Sequence, residues 1–229
     1  MLNGVRVVLT AYTASFRVPG FVGHQLTLPV PPLSTIYGLL SAAMGRWVSP
    51  QEVAWLAFRC DYESKGMDLE AIATVERKKP TEEARHAGRN VIQREFLTFP
   101  HVTLYLPPEW AEVFLHPRYA LLLGRTQDVA SVECVKPVVL EPTGEGNVSG
   151  VLLPLELVVQ NSTQAWLHNL PIALTDEPHR RLLGMKVFGV VDAHCRPARV
   201  RAPDWLVRDT HNGMVVPLYR REWINNVIR

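Results

Sequence analysis

The chain has 229 residues, 47% hydrophobic and 20% charged, with a mean hydropathy of +0.02 and a formal net charge of +2. A chain of this length makes one large domain or two small ones and buries roughly 70% of its unfolded surface, so its core needs neither disulfides nor a structural metal. Disorder, a global basic footprint and a membrane span, which needs roughly 18 uninterrupted apolar residues, are all disfavoured.

In chain order, Val5, Val7, Leu9 and Ala11 alternate with Arg6, Val8, Thr10 and Tyr12, which predicts a strand over about residues 4 to 16. Pro29-Val30-Pro31-Pro32-Leu33-Ser34-Thr35 forbids regular helix and then offers a hydroxyl N-cap. Ile36, Tyr37, Leu40, Met44 and Trp47 follow at helical spacing, Gly38, Ser41, Ala42 and Gly45 form a small-residue side, and Gly45 is placed to end the helix. Ser49-Pro50-Gln51-Glu52 has the composition of a capping box and predicts a second helix burying Val53, Ala54, Leu56, Ala57 and Phe58.

Residues 70 to 77 alternate again as a strand, and residues 78 to 95 are polar, basic and aperiodic, an excursion from the core such as a long hairpin or a loop. Phe96 to Leu106 restores a strand, Pro107-Pro108-Glu109 opens a short helix, and Tyr119 to Leu123 runs into Gly124-Arg125-Thr126. Strands are expected over 129–140, 150–160, 185–191 and 197–201, with a loop over 141–150 and a hairpin closed by Asn212-Gly213. The order suits an α+β chain: a ferredoxin-like βαββαβ unit over residues 1–135 and a β-rich C-terminal part over 136–229, with no linker marking the boundary.

Charge is unevenly spread. Residues 194–229 hold seven arginines against three acidic residues, and Arg77, Lys78, Lys79, Arg85, Arg89 and Arg94 lie within 18 residues. Either cluster suits phosphate, and either suits a solvated face or a guarded strand edge. Cys60, Cys134 and Cys195 fit no metal or redox spacing, and an odd, scattered set with no signal-peptide core points to a reducing, cytoplasmic setting. HxxxH, HExxH, CxxC, GxSxG, P-loop and dinucleotide GxGxxG patterns are all absent, so neither a metal nor a cofactor is expected. A metal-free ribonuclease built from His, Tyr and Lys leaves almost no motif, so the lack of these patterns does not exclude one.

Thr13-Ala-Ser-Phe-Arg-Val-Pro19 and Leu26-Thr-Leu-Pro-Val-Pro-Pro-Leu-Ser-Thr-Ile-Tyr-Gly-Leu-Leu-Ser-Ala-Ala-Met-Gly45 together resemble the N-terminal signature of the fifth CRISPR-associated protein family. Arg94-Glu95-Phe96-Leu97, Leu122-Leu123-Gly124-Arg125-Thr126 and Val129-Ala130-Ser131-Val132 resemble further blocks in the same order, so the likeness spans residues 5 to 132. The proline-rich turn with Ser-Thr-hydrophobic-Tyr-Gly is most similar to the type I-B branch.

The resemblance implies a RAMP-superfamily subunit of the type I CRISPR surveillance complex, Cascade, with a modified RNA-recognition-motif fold and a β-hairpin thumb, here at about residues 77–95. Such a subunit binds the 5′ handle of the guide crRNA and contacts the backbone and large subunits. Target DNA is reached through the assembled ribonucleoprotein in antiviral defence, with no membrane involved. On this reading Arg77, Lys78, Lys79, Arg85, Arg89 and Arg94 meet phosphates, as do Ser34 and Thr35 at the helix start, with capping alone as the rival role for Ser34. Phe16 and Arg17 leave the first strand where a stacking or phosphate contact is expected, with burial as the rival for Phe16, and Arg125 is a phosphate or base contact. One branch of the family cleaves precursor crRNA with a tyrosine, lysine and histidine set. This sequence has no Lys-His dipeptide and has Arg46-Trp47 where that tyrosine would stand, so no catalytic residue is expected; Arg85-His86, with Tyr12, keeps the endoribonuclease alternative open.

Overall fold

The computed structural model describes residues 1–21, 23–76, 83 and 85–228. β1 (Leu2–Ala11) alternates as expected, burying Val5, Val7 and Leu9. The expected strand to residue 16 is divided: β2 (Thr13–Ala14) pairs into a different sheet and β3 (Phe16–Arg17) pairs with β5 (Thr27–Leu28), after the short β4 (His24–Gln25). α1 (Leu33–Met44) buries Leu33, Ile36, Tyr37, Leu39, Leu40 and Ala43 and ends at Gly45, whose φ of 79° lets its N–H reach the Ser41 carbonyl at 2.9 Å. The cap differs from expectation. Pro32, with extended backbone, takes the N-cap position and its carbonyl accepts from Thr35 N at 2.9 Å, so Ser34 lies inside the first turn and caps nothing.

The Ser49–Glu52 capping box forms, Ser49 N donating to Glu52 Oε1 at 2.8 Å, but it opens only a single turn (Pro50–Glu52), and the expected second helix is instead β6 (Trp55–Asp61). β6 lies between two other strands and is buried on both faces, Leu56 and Phe58 in one core and Ala57 in another. A doubly buried strand reads as a continuous apolar run, which periodicity alone does not separate from a helix.

β7 (Ser64–Glu76) and β8 (Arg85–Thr98) form one long antiparallel hairpin, in register from Ser64 opposite Thr98 to Glu76 opposite Arg85, with a bulge between Thr74 and Val75. Phe99, at φ 44°, and Pro100 divide the expected 96–106 strand into the end of β8 and β9 (His101–Leu106). α2 (Trp110–Leu115) follows as expected, and the two-residue β10 (Leu121–Leu122) comes after it.

β11 (Val129–Val148) continues through the expected loop because it changes partners: residues 130–140 pair with β1, and residues 140–148 pair with β15 (Ala198–Asp209). The expected 150–160 strand is half strand, β12 (Val151–Pro154), and half helix, α3 (Leu155–Gln160). β13 (Trp166–Leu174), which no sequence pattern announced, pairs with β14 (Leu182–Val191). The hairpin at Asn212-Gly213 forms as expected between β15 and β16 (Val215–Arg220), and α4 (Arg221–Val227) follows.

In the main sheet the order is β1-β9-β6-β16-β15-β11-β10, and the β1–β11 ladder returns it on itself, with Leu140 opposite both Leu2 and Asp209. Four of these strands lie β11-β1-β9-β6, all antiparallel, with α1 following β1 and α2 following β9 in the chain. One core packs α1 and α2 on this sheet through Leu9, Leu40, Phe58, Leu104 and Phe114; a second lies around Tyr105, Leu140, Val148, Leu153 and Val216. Among the described residues no helix is long and apolar enough to cross a membrane.

Candidate nucleic-acid interface

The β7–β8 hairpin is mostly exposed, and its ladder sorts the side chains by face. Paired residues share a face and successive residues alternate, so Met67, Leu69, Ala71 and Ala73 stand with Glu95, Gln93, Val91 and Arg89, while Asp68, Glu70, Ile72 and Thr74 stand with Arg94, Ile92, Asn90 and Gly88. The first face combines exposed apolar side chains with an exposed cation. Arg85 and Arg89 are both exposed and make no ion pair among the described residues. Arg77, Lys78 and Lys79 lie outside the described residues.

Arg94 and Arg125 are placed otherwise than free phosphate contacts require. Arg94 Nε donates to Glu70 Oε2 at 2.5 Å, and Arg125 Nη1 donates to Glu70 Oε1 at 2.9 Å. The rest of the Arg125 guanidinium holds Asp128, Nε to Oδ2 at 3.0 Å and Nη2 to Oδ1 at 2.9 Å, and Thr13 Oγ1 donates to Oδ1 at 2.6 Å. Its cation also lies 5.5 Å from the Phe96 ring centroid. Residues from β2, β7, β8 and the turn after β10 are thus tied into one network along the inner half of the hairpin, from Thr13 beside Thr98 to Glu70 opposite Ile92. Gly124 allows the approach: at φ 113°, a Cβ there would overlap the Ser15 carbonyl oxygen. Burial alone would raise the Glu70 carboxyl, but hydrogen bonds from Arg125 and Arg94 outweigh it and hold the group below its ordinary value of 4.5.

Phe16 takes the buried alternative: it is 2% exposed in the core, so its ring offers no face to a base. Arg17 beside it is exposed, with no ion pair among the described residues. Ser34 and Thr35 are half-buried in the first turn of α1. Along β15, Arg199 and Arg201 are exposed on either side of buried Val200, and Arg199 pairs with Glu145 at 3.0 Å.

Sequence reasoning missed the aromatic pair at the hairpin root. Tyr12 is 80% exposed and Phe99 45%, their rings edge-to-face at 5.9 Å, with Phe99 N donating to the Tyr12 carbonyl at 2.9 Å. The left-handed backbone of Phe99 turns the ring outward, a geometry that Phe-Pro in a sequence does not announce. His86 stands far from this pair, opposite Val75, twelve positions along β8 from Thr98. An extended strand of that length spans about 40 Å. Sequence reasoning also missed Tyr62, whose hydroxyl donates to the two oxygens of buried Asp192 at 2.9 and 2.8 Å and whose ring stacks on His194 at 4.3 Å. Among the described residues no three His, Cys, Asp or Glu side chains converge as a metal ion would require.

The model of a family described as CRISPR-associated protein (Cas_Cas5) matches residues 4–182. No curated protein matches the chain in sequence. Among solved structures, a chain of a CRISPR RNA-guided surveillance complex superposes with TM-score 0.52 at 18% identity, covering 87% of this chain and 91% of that one. A chain of a type III-B Cmr-beta complex bound to cognate target RNA and AMPPnP gives 0.60 at 8% identity, covering 92% and 98%. A CRISPR protein from Archaeoglobus fulgidus gives 0.50 at 11% identity, covering 96% and 100%.

Proposed function

The chain belongs to the CRISPR-associated protein (Cas_Cas5) family, and from that premise we propose that it is a non-catalytic, guide-RNA-binding subunit of a CRISPR effector complex of the type I-B kind. It holds the repeat-derived 5′ handle of the crRNA, caps one end of the backbone filament and contacts the large subunit. The observation that carries this reading is the exposed hairpin with Arg85 and Arg89, whose inner half is tied to the turn after β10 by the Glu70–Arg94–Arg125–Asp128 network. An anchored inner half with cations further out suits a thumb that positions an RNA backbone, since phosphate contacts orient a strand without reading it.

The strand order β11-β1-β9-β6 with its two crossing helices supports a modified RNA-recognition-motif fold, ferredoxin-like in topology. The exposed Tyr12–Phe99 pair gives single-stranded bases a stacking platform at the root of the hairpin. The separation of His86 from Tyr12 supports a binding role over cleavage, because general acid–base chemistry needs its groups within hydrogen-bond reach of one reacting phosphate.

The test incubates purified protein with labelled cognate repeat RNA in chelator, running a mobility shift and a denaturing gel from the same tubes. A shift of intact RNA that weakens with salt supports the proposal. Discrete cleavage at one repeat position would replace it with a metal-independent endoribonuclease.

A further inference from the structure

A cavity of about 360 Å³ lies between α1, the Arg46–Val48 segment and the β13–β14 region. Its floor is the small-residue side of α1, with Ser34, Gly38, Ser41 and Ala42. A Cβ built on Gly38 meets nothing within 4 Å, so open space begins directly at the helix backbone. The space is of ligand size, since small-molecule sites begin at about 300 Å³.

Three features of the lining set the chemistry of an occupant. The Trp47 indole presents a ring, and the Arg180 guanidinium lies 4.9 Å from its centroid. Arg180 is exposed and pairs with no carboxylate among the described residues, whereas the neighbouring Arg46 is held by Glu52 at 2.6 Å. Tyr37, which also lines the cavity, is 4% exposed and its buried hydroxyl has no hydrogen-bond partner. A buried hydroxyl without an acceptor is costly, so such groups are ordinarily satisfied. Desolvation raises the phenol above its ordinary value, so it stays neutral and can donate. An aromatic surface, an unpaired cation and an unsatisfied donor together suit a planar, acceptor-bearing ring attached to an anion. A bare phosphate leaves the indole unused, and an aliphatic group leaves the cation and the hydroxyl unused.

We propose that this cavity receives one unstacked nucleobase of the bound RNA, its ring taking the place of the Arg180 guanidinium on Trp47, an acceptor atom toward Tyr37 and an adjoining phosphate on the displaced Arg180. The assignment rests on the RNA-binding reading above and adds a base-holding subsite away from the hairpin. Stacking a single-stranded base on an aromatic side chain is tolerant of sequence, while the Tyr37 donor favours bases that carry an acceptor at that edge.

Gly38→Leu gives a test that spares the fold, because leucine is a far better helix former than glycine and the new side chain grows into empty space. The full chain is titrated against repeat RNA carrying the fluorescent base 2-aminopurine at each handle position in turn. Gly38→Leu and Trp47→Leu are expected to weaken binding roughly tenfold, the scale of one missing base stack. Each should abolish a fluorescence change seen at one position with the wild type, while the melting temperature of Gly38→Leu stays at or above the wild-type value. Arg180→Ala should also lower the salt slope by about 0.7, the share of one neutralised phosphate.

Wild-type affinity and an unchanged fluorescence profile in Gly38→Leu would overturn the subsite, and a loss of affinity in Arg85→Ala/Arg89→Ala would show that RNA binding itself stands. A wild type that binds no repeat RNA removes both readings. Adenosine or uridine monophosphate binding that Gly38→Leu blocks but repeat RNA does not displace would also overturn the assignment, giving the cavity to a free nucleotide.

Discussion

Arg125 and Asp128 meet across a three-residue step in the turn after β10, two guanidinium nitrogens donating to separate oxygens of one carboxylate at 3.0 and 2.9 Å. The Asp128 side chain is wholly buried and that of Arg125 is 11% exposed. Removing one partner of such a pair leaves a charge uncompensated, at a cost of about 3 kcal/mol. Arg125→Ala is therefore expected to lose about that much stability in urea denaturation. Arg125→Lys, which keeps the charge but lacks the planar fork that reaches Asp128 and Glu70 together, should fall between it and the wild type.

Glu70 gives the same network a pH signature. Its folded value lies below 4.5, so its contribution to stability is complete above the unfolded value and is lost as pH falls through the folded one. Denaturation midpoints measured from pH 6 down to pH 3 should decline in the wild type. The part of that decline due to this group should vanish in Glu70→Gln, which loses stability at pH 6 instead.

Arg17, Arg85 and Arg89 are exposed and unpaired among the described residues, so replacing them removes charge without removing packing. Alanine at each is expected to leave the melting temperature within the small range typical of surface changes. The slope of log affinity against log salt for repeat RNA should fall by about 0.7 for each phosphate that no longer has its cation. The contrast with Arg125→Ala, where stability falls first, separates cations that meet ligand from cations that hold the fold.

Tyr62 and Asp192 predict a purely structural defect. Tyr62→Phe keeps the ring stacked on His194 but removes the hydroxyl that donates to a 7% exposed carboxylate, a change expected to cost about 2 kcal/mol. Urea denaturation checks this, and RNA affinity measured where both proteins are folded should not change.

Local signals were readable where a residue acts within its own turn or strand. Gly45 ends α1, the Ser49–Glu52 box forms, β1 alternates, and Asn212-Gly213 closes a hairpin. The aperiodic basic stretch after residue 77 was legible as an excursion, though the described hairpin is longer, from Ser64 to Thr98. β6 and α3 take the opposite structure from that expected: β6 is a short apolar run buried on both faces and so carries no distinguishing period, and α3 is a six-residue run too short to display one. The 20-residue β11 runs on through Pro142, Gly144 and Gly146, whose composition suits a loop, because its second partner, β15, makes them a strand. Arg94 and Arg125 read as free cations because Glu70, which holds both, lies 24 and 55 residues away in sequence. Charge counting along a chain sees arginines, and only the fold shows which carboxylates face them.

Whether the exposed hairpin cations bind guide RNA is decided by equilibrium binding of fluorescent cognate repeat RNA across a salt series. Binding by the wild type tighter than the roughly micromolar level typical of nonspecific association is predicted, with log affinity falling linearly against log salt. The slope should be shallower in Arg85→Ala/Arg89→Ala. An affinity and slope identical in wild type and double variant would contradict the account.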